Sequence, residues 1–137
     1  MQRIVGMDIA GTLERLGGDK SLLYAIAEVF LEECPMHMAA LRQAISEGDA
    51  GGIARSAHSL TGDLAYLGVP EASQKARDLE QMGRKRELEE CARSFADLEL
   101  QVLSVLEVLR NVKTFNFAVP AAVVGSEARD SSGGRGV

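Results

Sequence analysis

The stretch Ile53-Ala54-Arg55-Ser56-Ala57-His58-Ser59-Leu60-Thr61-Gly62-Asp63-Leu64-Ala65-Tyr66-Leu67-Gly68 decides how the chain is read. Ile53, Ala57, Leu60, Leu64 and Leu67 recur at spacings of 4, 3, 4 and 3. That is one apolar stripe of an α-helix, not the alternation of a strand. Asp49 precedes the stretch as a candidate N-cap, and Gly68 stops it. His58 does not share the stripe. On a wheel of about 100° per residue it lies roughly 140° from the stripe's centre. Gly51, Ala54, Arg55, Thr61, Gly62 and Ala65 fall within about 60° of it. Four of these six are Gly or Ala. An imidazole outside the core, ringed by small side chains on a rigid helix, suits a nucleophile that another protein must reach.

Working outward, every long segment has the same character. Asp8 caps a short helix over about 9–16 with Ile9, Leu13 and Leu16, ended by Gly17-Gly18. Asp19 opens a segment running to Glu47, with the stripe Leu22, Ile26, Val29, Phe30, Leu41, Ala44 and Ile45. Pro35 predicts a kink or a break within it. The histidine helix spans about 50–67. Pro70 begins the next helix, about 70–83, with Ala72, Ala76, Leu79 and Met82; Gly83-Arg84-Lys85 is expected to close it. The last helix, about 86–112, carries Leu88, Cys91, Phe95, Leu98, Val102, Val105, Leu106, Leu109 and Val112.

The predicted fold class is all-α. Short connections force sequential helices antiparallel, giving an up-down four-helix bundle with the short first helix across one end. Residues 1–7 read as a leader or linker remnant and residues 8–112 as one domain. Residues 113–137 read as a largely disordered tail, ending in Gly, Ser and charge.

Composition narrows the function. The chain has 137 residues, room for one core and no second catalytic domain. Its formal charge of −5 argues against a broad basic surface for nucleic acid and leaves a protein partner as the default. Cys34 and Cys91 lie far apart in helical patterns, and residues 1–20 contain no continuous apolar run of the signal-peptide kind. The expectation is two reduced thiols in a cytoplasmic protein. His37 reads as a bundle-edge residue. A metal site is not expected: of Cys34, His37, His58 and Cys91 only Cys34 and His37 have ligand-like spacing, with Pro35 between them, and the others lie on different helical segments.

Two residues near His58 can assist it. Gly62, at i+4, stacks beside the imidazole, either clearing an approach to the ring or relieving crowding between helices. Glu80 follows core residue Leu79 as His58 follows core residue Ala57. Its carboxylate can accept a hydrogen bond from one ring nitrogen, leaving the other free; otherwise it is a solvated surface glutamate. Histidines ordinarily titrate close to neutrality, so a neutral, nucleophilic fraction is available near pH 7.

Ala57-His58-Ser59-Leu60-Thr61-Gly62, with Gly68 ten residues after the histidine, resembles the histidine-containing phosphotransfer (HPt) domain of two-component phosphorelays. That family's signature reads Ala-His-x-Leu-Lys-Gly, then five residues and a Gly. Leu16-Gly17-Gly18-Asp19, Phe30-Leu31-Glu32-Glu33, Leu41, Ala44, Gly48-Asp49 and Leu79-Glu80 also resemble family positions, so the likeness spans residues 8 to about 110. One departure matters: Thr61 stands where the family has Lys, supplying a hydroxyl donor but no charge. Arg55, at i−3 of His58, is the expected substitute cation. Asp63 replaces the family's serine after the Gly.

The resemblance implies reversible phosphoryl transfer between His58 and a receiver-domain aspartate, with Mg²⁺ supplied by the receiver. It implies a phosphocarrier without autokinase activity. Its partners would be receiver domains and a hybrid histidine kinase, with docking over the small apolar surface at Ala54 and Ala65. Four helices in one chain imply a monomer. Two alternatives stand beside this reading: an HPt module excised from a hybrid sensor kinase, and an HPt-like interaction bundle that is never phosphorylated.

Overall fold

A computed structural model describes residues 7–114. Among them there are five α-helices, a closing 3₁₀ turn and no strand: α1 (Ile9–Arg15), α2 (Lys20–Glu47), α3 (Ala50–Tyr66), α4 (Pro70–Lys85), α5 (Cys91–Arg110) and the turn Val112–Thr114. Residues 1–6 and 115–137, which include most of the predicted leader and tail, lie outside the described residues.

Pairs of contacts give the helix directions. His37 meets Asp63 and Ala44 lies by Gly52, so α2 and α3 run antiparallel. His58 meets Glu80 and Ser73 meets Thr61, so α3 and α4 do the same. Arg42 meets Glu99 and Lys113 meets Glu28, setting α5 and the turn after it antiparallel to α2. The core between the helices includes Phe30, Leu41, Ile53, Leu60, Leu64, Leu79, Phe95, Leu98 and Leu109, all buried.

Asp8, Asp19 and Asp49 each accept a hydrogen bond from a backbone N–H of the following first turn, so α1, α2 and α3 begin where their caps stand. The short helix α1 serves as a lid on α3. The last carbonyls of a helix have no intrahelical partner. Here the Asp8 N–H donates to Gly68 O, the Thr12 hydroxyl to Leu67 O and the Arg15 guanidinium to Tyr66 O. This anchors the helix that carries His58 at its far end.

Four expectations are revised. First, of the kink or break expected at Pro35, the break does not occur: α2 is a single element through it. A proline inside a helix costs about 3 kcal/mol, which burial of Phe30, Cys34, Met38 and Leu41 on one face offsets. Second, the buried line at the start of α2 is Leu23, Ala27 and Phe30, while Leu22 and Val29 are 43% and 52% exposed. Both lines have helical period. Period alone does not choose between them; packing against the other helices does. Third, Gly83 does not end α4. The helix continues to Lys85 and stops at Arg86, whose φ of 60° is left-handed. Fourth, α5 starts at Cys91, and Leu88 packs half-buried from the preceding loop. Met7 packs against the core, and Lys113 sits by Tyr24 and Glu28.

Candidate functional site

The stripe of α3 lies wholly in the core: Ile53, Ala57, Leu60 and Leu64 are fully buried and Leu67 nearly so. Burial of that line fixes the helix's rotation, and the rotation turns His58 outward, with its side chain 72% exposed. Across the α3–α4 seam stands Glu80, its side chain only 8% exposed. It is one of four buried polar or charged residues among those described. Glu80 Oε2 lies 3.1 Å from His58 Nδ1.

A carboxylate only accepts. The contact therefore assigns a proton to Nδ1 and, in the neutral ring, leaves the Nε2 lone pair free and facing solvent. The same Oε2 accepts from Arg84 on α4, 3.2 Å from Nε and 2.6 Å from Nη2. Burial alone would push the Glu80 carboxyl up. Hydrogen bonds from Arg84 and then His58, with the charges of both, outweigh it and hold Glu80 below the usual carboxylate range.

Arg84 is the residue that sequence reading missed. Its signal was the i, i+4 spacing from Glu80 on one helix face. Arg55 is placed differently from expectation. A Cβ added to Gly51 would lie 3.2 Å from Arg55 Nη1, so the guanidinium lies back over Gly51. Gly51 and His58 are seven residues apart, roughly 10 Å along the helix. The structure does not bring the head of Arg55 to the imidazole.

Thr61 also differs from expectation. It is buried against α4 and its hydroxyl donates to Ala57 O at 2.9 Å. Its own carbonyl accepts from the Ser73 hydroxyl. The donor attributed to it is therefore committed within the fold and does not face the exposed surface.

Gly62 is exposed, and a Cβ added there would meet nothing within 4 Å. Crowding between helices is thus no reason for this glycine; the surface beside His58 is simply low and open. Ala65, one further turn along, is exposed at the mouth of a cleft shared with Ser73, Gln74 and Arg77. Ala54, the other expected docking residue, is half-buried under α4.

The second histidine has another setting. His37 Nδ1 is buried without a hydrogen bond, 3.5 Å from Asp63 Oδ2. Burial, and then the nearby Glu33, raises the Asp63 carboxyl, while His37 opposes this. Cys34, fully buried beside them, is pushed up to about 12, by burial first and Asp63 second. A thiol so placed stays protonated and inert at neutral pH. Asp63 therefore faces α2, away from His58.

Comparison with known proteins now bears on this site. The model of the Hpt domain family matches residues 25–111, well over half of the chain and the whole of the His58 region. The chain belongs to the Hpt domain family. The Hpt fold is seen again in a solved structure, the histidine-containing phosphotransfer protein HptB from Pseudomonas aeruginosa PAO1. The two are 17% identical, with a TM-score of 0.73, over 80% of this chain and 96% of that one. Likeness at that identity speaks for the fold alone. Comparison with curated proteins finds no match. Hpt domains as a family take part in phosphorelays with receiver domains and kinases, and are not generally kinases themselves. No helix among the described residues is long and apolar enough to cross a membrane.

Proposed function

We propose that the chain is a phosphocarrier in a His-Asp phosphorelay, with His58 as the residue that is phosphorylated. The observation that carries this reading is the contact of the exposed His58, through Nδ1, with the buried Glu80 carboxylate of α4. Nε2 attacks the phosphorus of a receiver's aspartyl phosphate. The N–P bond forms as the O–P bond breaks, and the aspartate leaves as carboxylate. The Nδ1 proton stays in place throughout. Glu80 stabilises the positive charge that the ring acquires, because a hydrogen bond to the charged form favours it. The ring thereby remains a competent leaving group, and the phosphoryl group can be passed to a second receiver by the reverse step.

Such transfer depends on in-line positioning and on neutralising charge on the moving group. The receiver brings Mg²⁺ and its acidic pocket; this chain brings the positioned imidazole. On this reading it does not phosphorylate itself from ATP, works as a cytoplasmic monomer, and meets its receivers over the low surface of Gly62 and Ala65.

The test is phosphotransfer profiling of the full chain against the receiver domains of its host, with His58→Gln alongside. Acid-labile, base-stable phosphate on the wild type and none on His58→Gln is expected. Wild-type chain that takes no phosphate from any receiver would leave the bundle as an interaction scaffold and sink the carrier reading.

A further inference from the structure

Large apolar side chains are exposed in two separate places. Leu100 and Leu103 lie on the outward face of α5. Val29 and Tyr66, about half exposed, edge a groove between α2 and α3. Ile26 and Phe30 also line it, and Glu33 and Asp63 add its charge. The groove holds about 110 Å³ and is open to solvent. An apolar cavity of about 150 Å³ takes a benzene-sized molecule, so this groove admits an aromatic ring seated partly in it.

The sequence supplies such rings just past the last helix. Two of the four phenylalanines, Phe30 and Phe95, are buried in the core. The other two, Phe115 and Phe117, follow Thr114, the last described residue. Within residues 115–124 only Asn116 is polar, whereas residues 125–137 are mostly Gly, Ser and charge. Val119 precedes Pro120, which biases it to extended backbone. In an extended chain Phe115, Phe117 and Val119 share one side. We propose that residues 115–119 form an apolar strap that crosses α2 and seats a phenylalanine in the α2–α3 groove. The strap is independent of whether His58 carries phosphate.

The place where the chain leaves the bundle favours this groove over the α5 face. The turn Val112–Thr114 carries Lys113 onto α2. There its Nζ lies 3.9 Å from Glu28 Oε2 and 5.8 Å from the Tyr24 ring centroid. Val29 is the residue after Glu28, about 100° further round the same helix. Five extended residues span about 17 Å. That is enough to pass over the outer side of a helix about 10 Å across. Leu103, by contrast, lies about 15 Å back along α5, and a chain bound for it must reverse direction. Tethering gives the segment an effective concentration in the millimolar range, so a small groove suffices to hold it. Tyr66 directly follows Ala65, so the strap borders the low surface proposed for docking.

A nitroxide attached at Ala118→Cys tests this on the full chain, by paramagnetic broadening of backbone amide NMR signals. Position 118 points away from the groove when 115, 117 and 119 point into it. Cys34 and Cys91 are fully buried, so the label goes to the new thiol. The signals of Ile26, Val29 and Tyr66 are expected to fall by more than half relative to the reduced label. Those of Leu100 and Leu103 should stay unchanged. Replacing both Phe115→Ser and Phe117→Ser should restore the lost signals, and so should Val29→Asp alone. Val29 is exposed, and the same spectra report that the bundle is folded.

Broadening at Leu100 and Leu103 instead, or no localised broadening, overturns the proposal. A pattern that survives either set of substitutions overturns it as well. Mixing a spin-labelled chain with an unlabelled, isotope-enriched one should leave the enriched chain sharp. Broadening of its groove signals would place a second copy's segment there and overturn the intramolecular strap.

Discussion

Two glycines of the α3–α4 pair show how one pair of helices serves two purposes. At Gly83 the backbones touch. A Cβ there would lie 2.8 Å from Ala54 N and 2.9 Å from Ala50 O, atoms that cannot swing aside. Gly62 lies on the exposed face of α3, turned away from α4, and a Cβ there would meet nothing. The first glycine is required by the fold. The second costs the fold about 1 kcal/mol of helix propensity and returns nothing to it. Between them sits His58, held from below by Glu80. The seam is closed at Gly83, which fixes the histidine helix, and the outer face of α3 is open at Gly62, beside what it carries.

The strongest way to break this contrast is at the closed seam. Gly83→Ala should lower stability in urea unfolding by about 2–3 kcal/mol, because a well-packed contact with backbone is overfilled. A loss under about 0.5 kcal/mol, the level of an ordinary surface change, would mean that the seam relaxes freely there.

The open face responds in the opposite sense. Gly62→Ala should raise stability by about 0.5–1 kcal/mol. Gly62→Gln should slow transfer from a phosphorylated receiver about tenfold while leaving loading from phosphoramidate unchanged. Equal slowing with both donors would show that Gly62 acts on the imidazole itself and not on a docking protein.

The residue between them should register in pH. Glu80 is held below the usual carboxylate range, so the stability it contributes is fully present above that range and is lost as pH falls through its lowered folded pKa. Glu80→Gln should cost about 1 kcal/mol near neutrality, a value kept small because Arg84 and His58 are both well exposed. Melting curves of the two proteins should converge in acid. A gap that persists well below the carboxylate range would assign the effect to packing.

The smallest effect belongs to the turn that ends α4 beyond Gly83. Arg86 holds a left-handed φ of 60° that a glycine adopts without strain. Arg86→Gly should stabilise the chain by about 0.5–1 kcal/mol in the same unfolding assay, with no change in phosphotransfer.

Much of this was legible in the chain before any coordinates. The 4-3-4-3 stripe of α3 placed five residues in the core and therefore turned His58 out, since a helix has only one rotation that buries such a line. Asp8, Asp19 and Asp49 announced their helices because a cap acts on the next turn alone. The pairing of Glu80 with His58 could be foreseen from short loops and antiparallel neighbours. What failed were readings that depend on a third body. Leu22 and Val29 had the period of a core line, yet the helices packed against α2 selected Leu23 and Ala27. Gly83 looked like punctuation, although its neighbour in space is α3 and its neighbours in sequence say nothing of that.

The sequence by itself determined the helices, the outward histidine and its family motif, because period, caps and spacing are properties of single segments. Only the tertiary structure decided the charge around His58. It buried the Thr61 hydroxyl, laid Arg55 over Gly51 and brought Arg84 to the imidazole through Glu80. Those outcomes turn on how two helices meet across a seam, and a distance between side chains on different helices is set by packing, not by position in the chain.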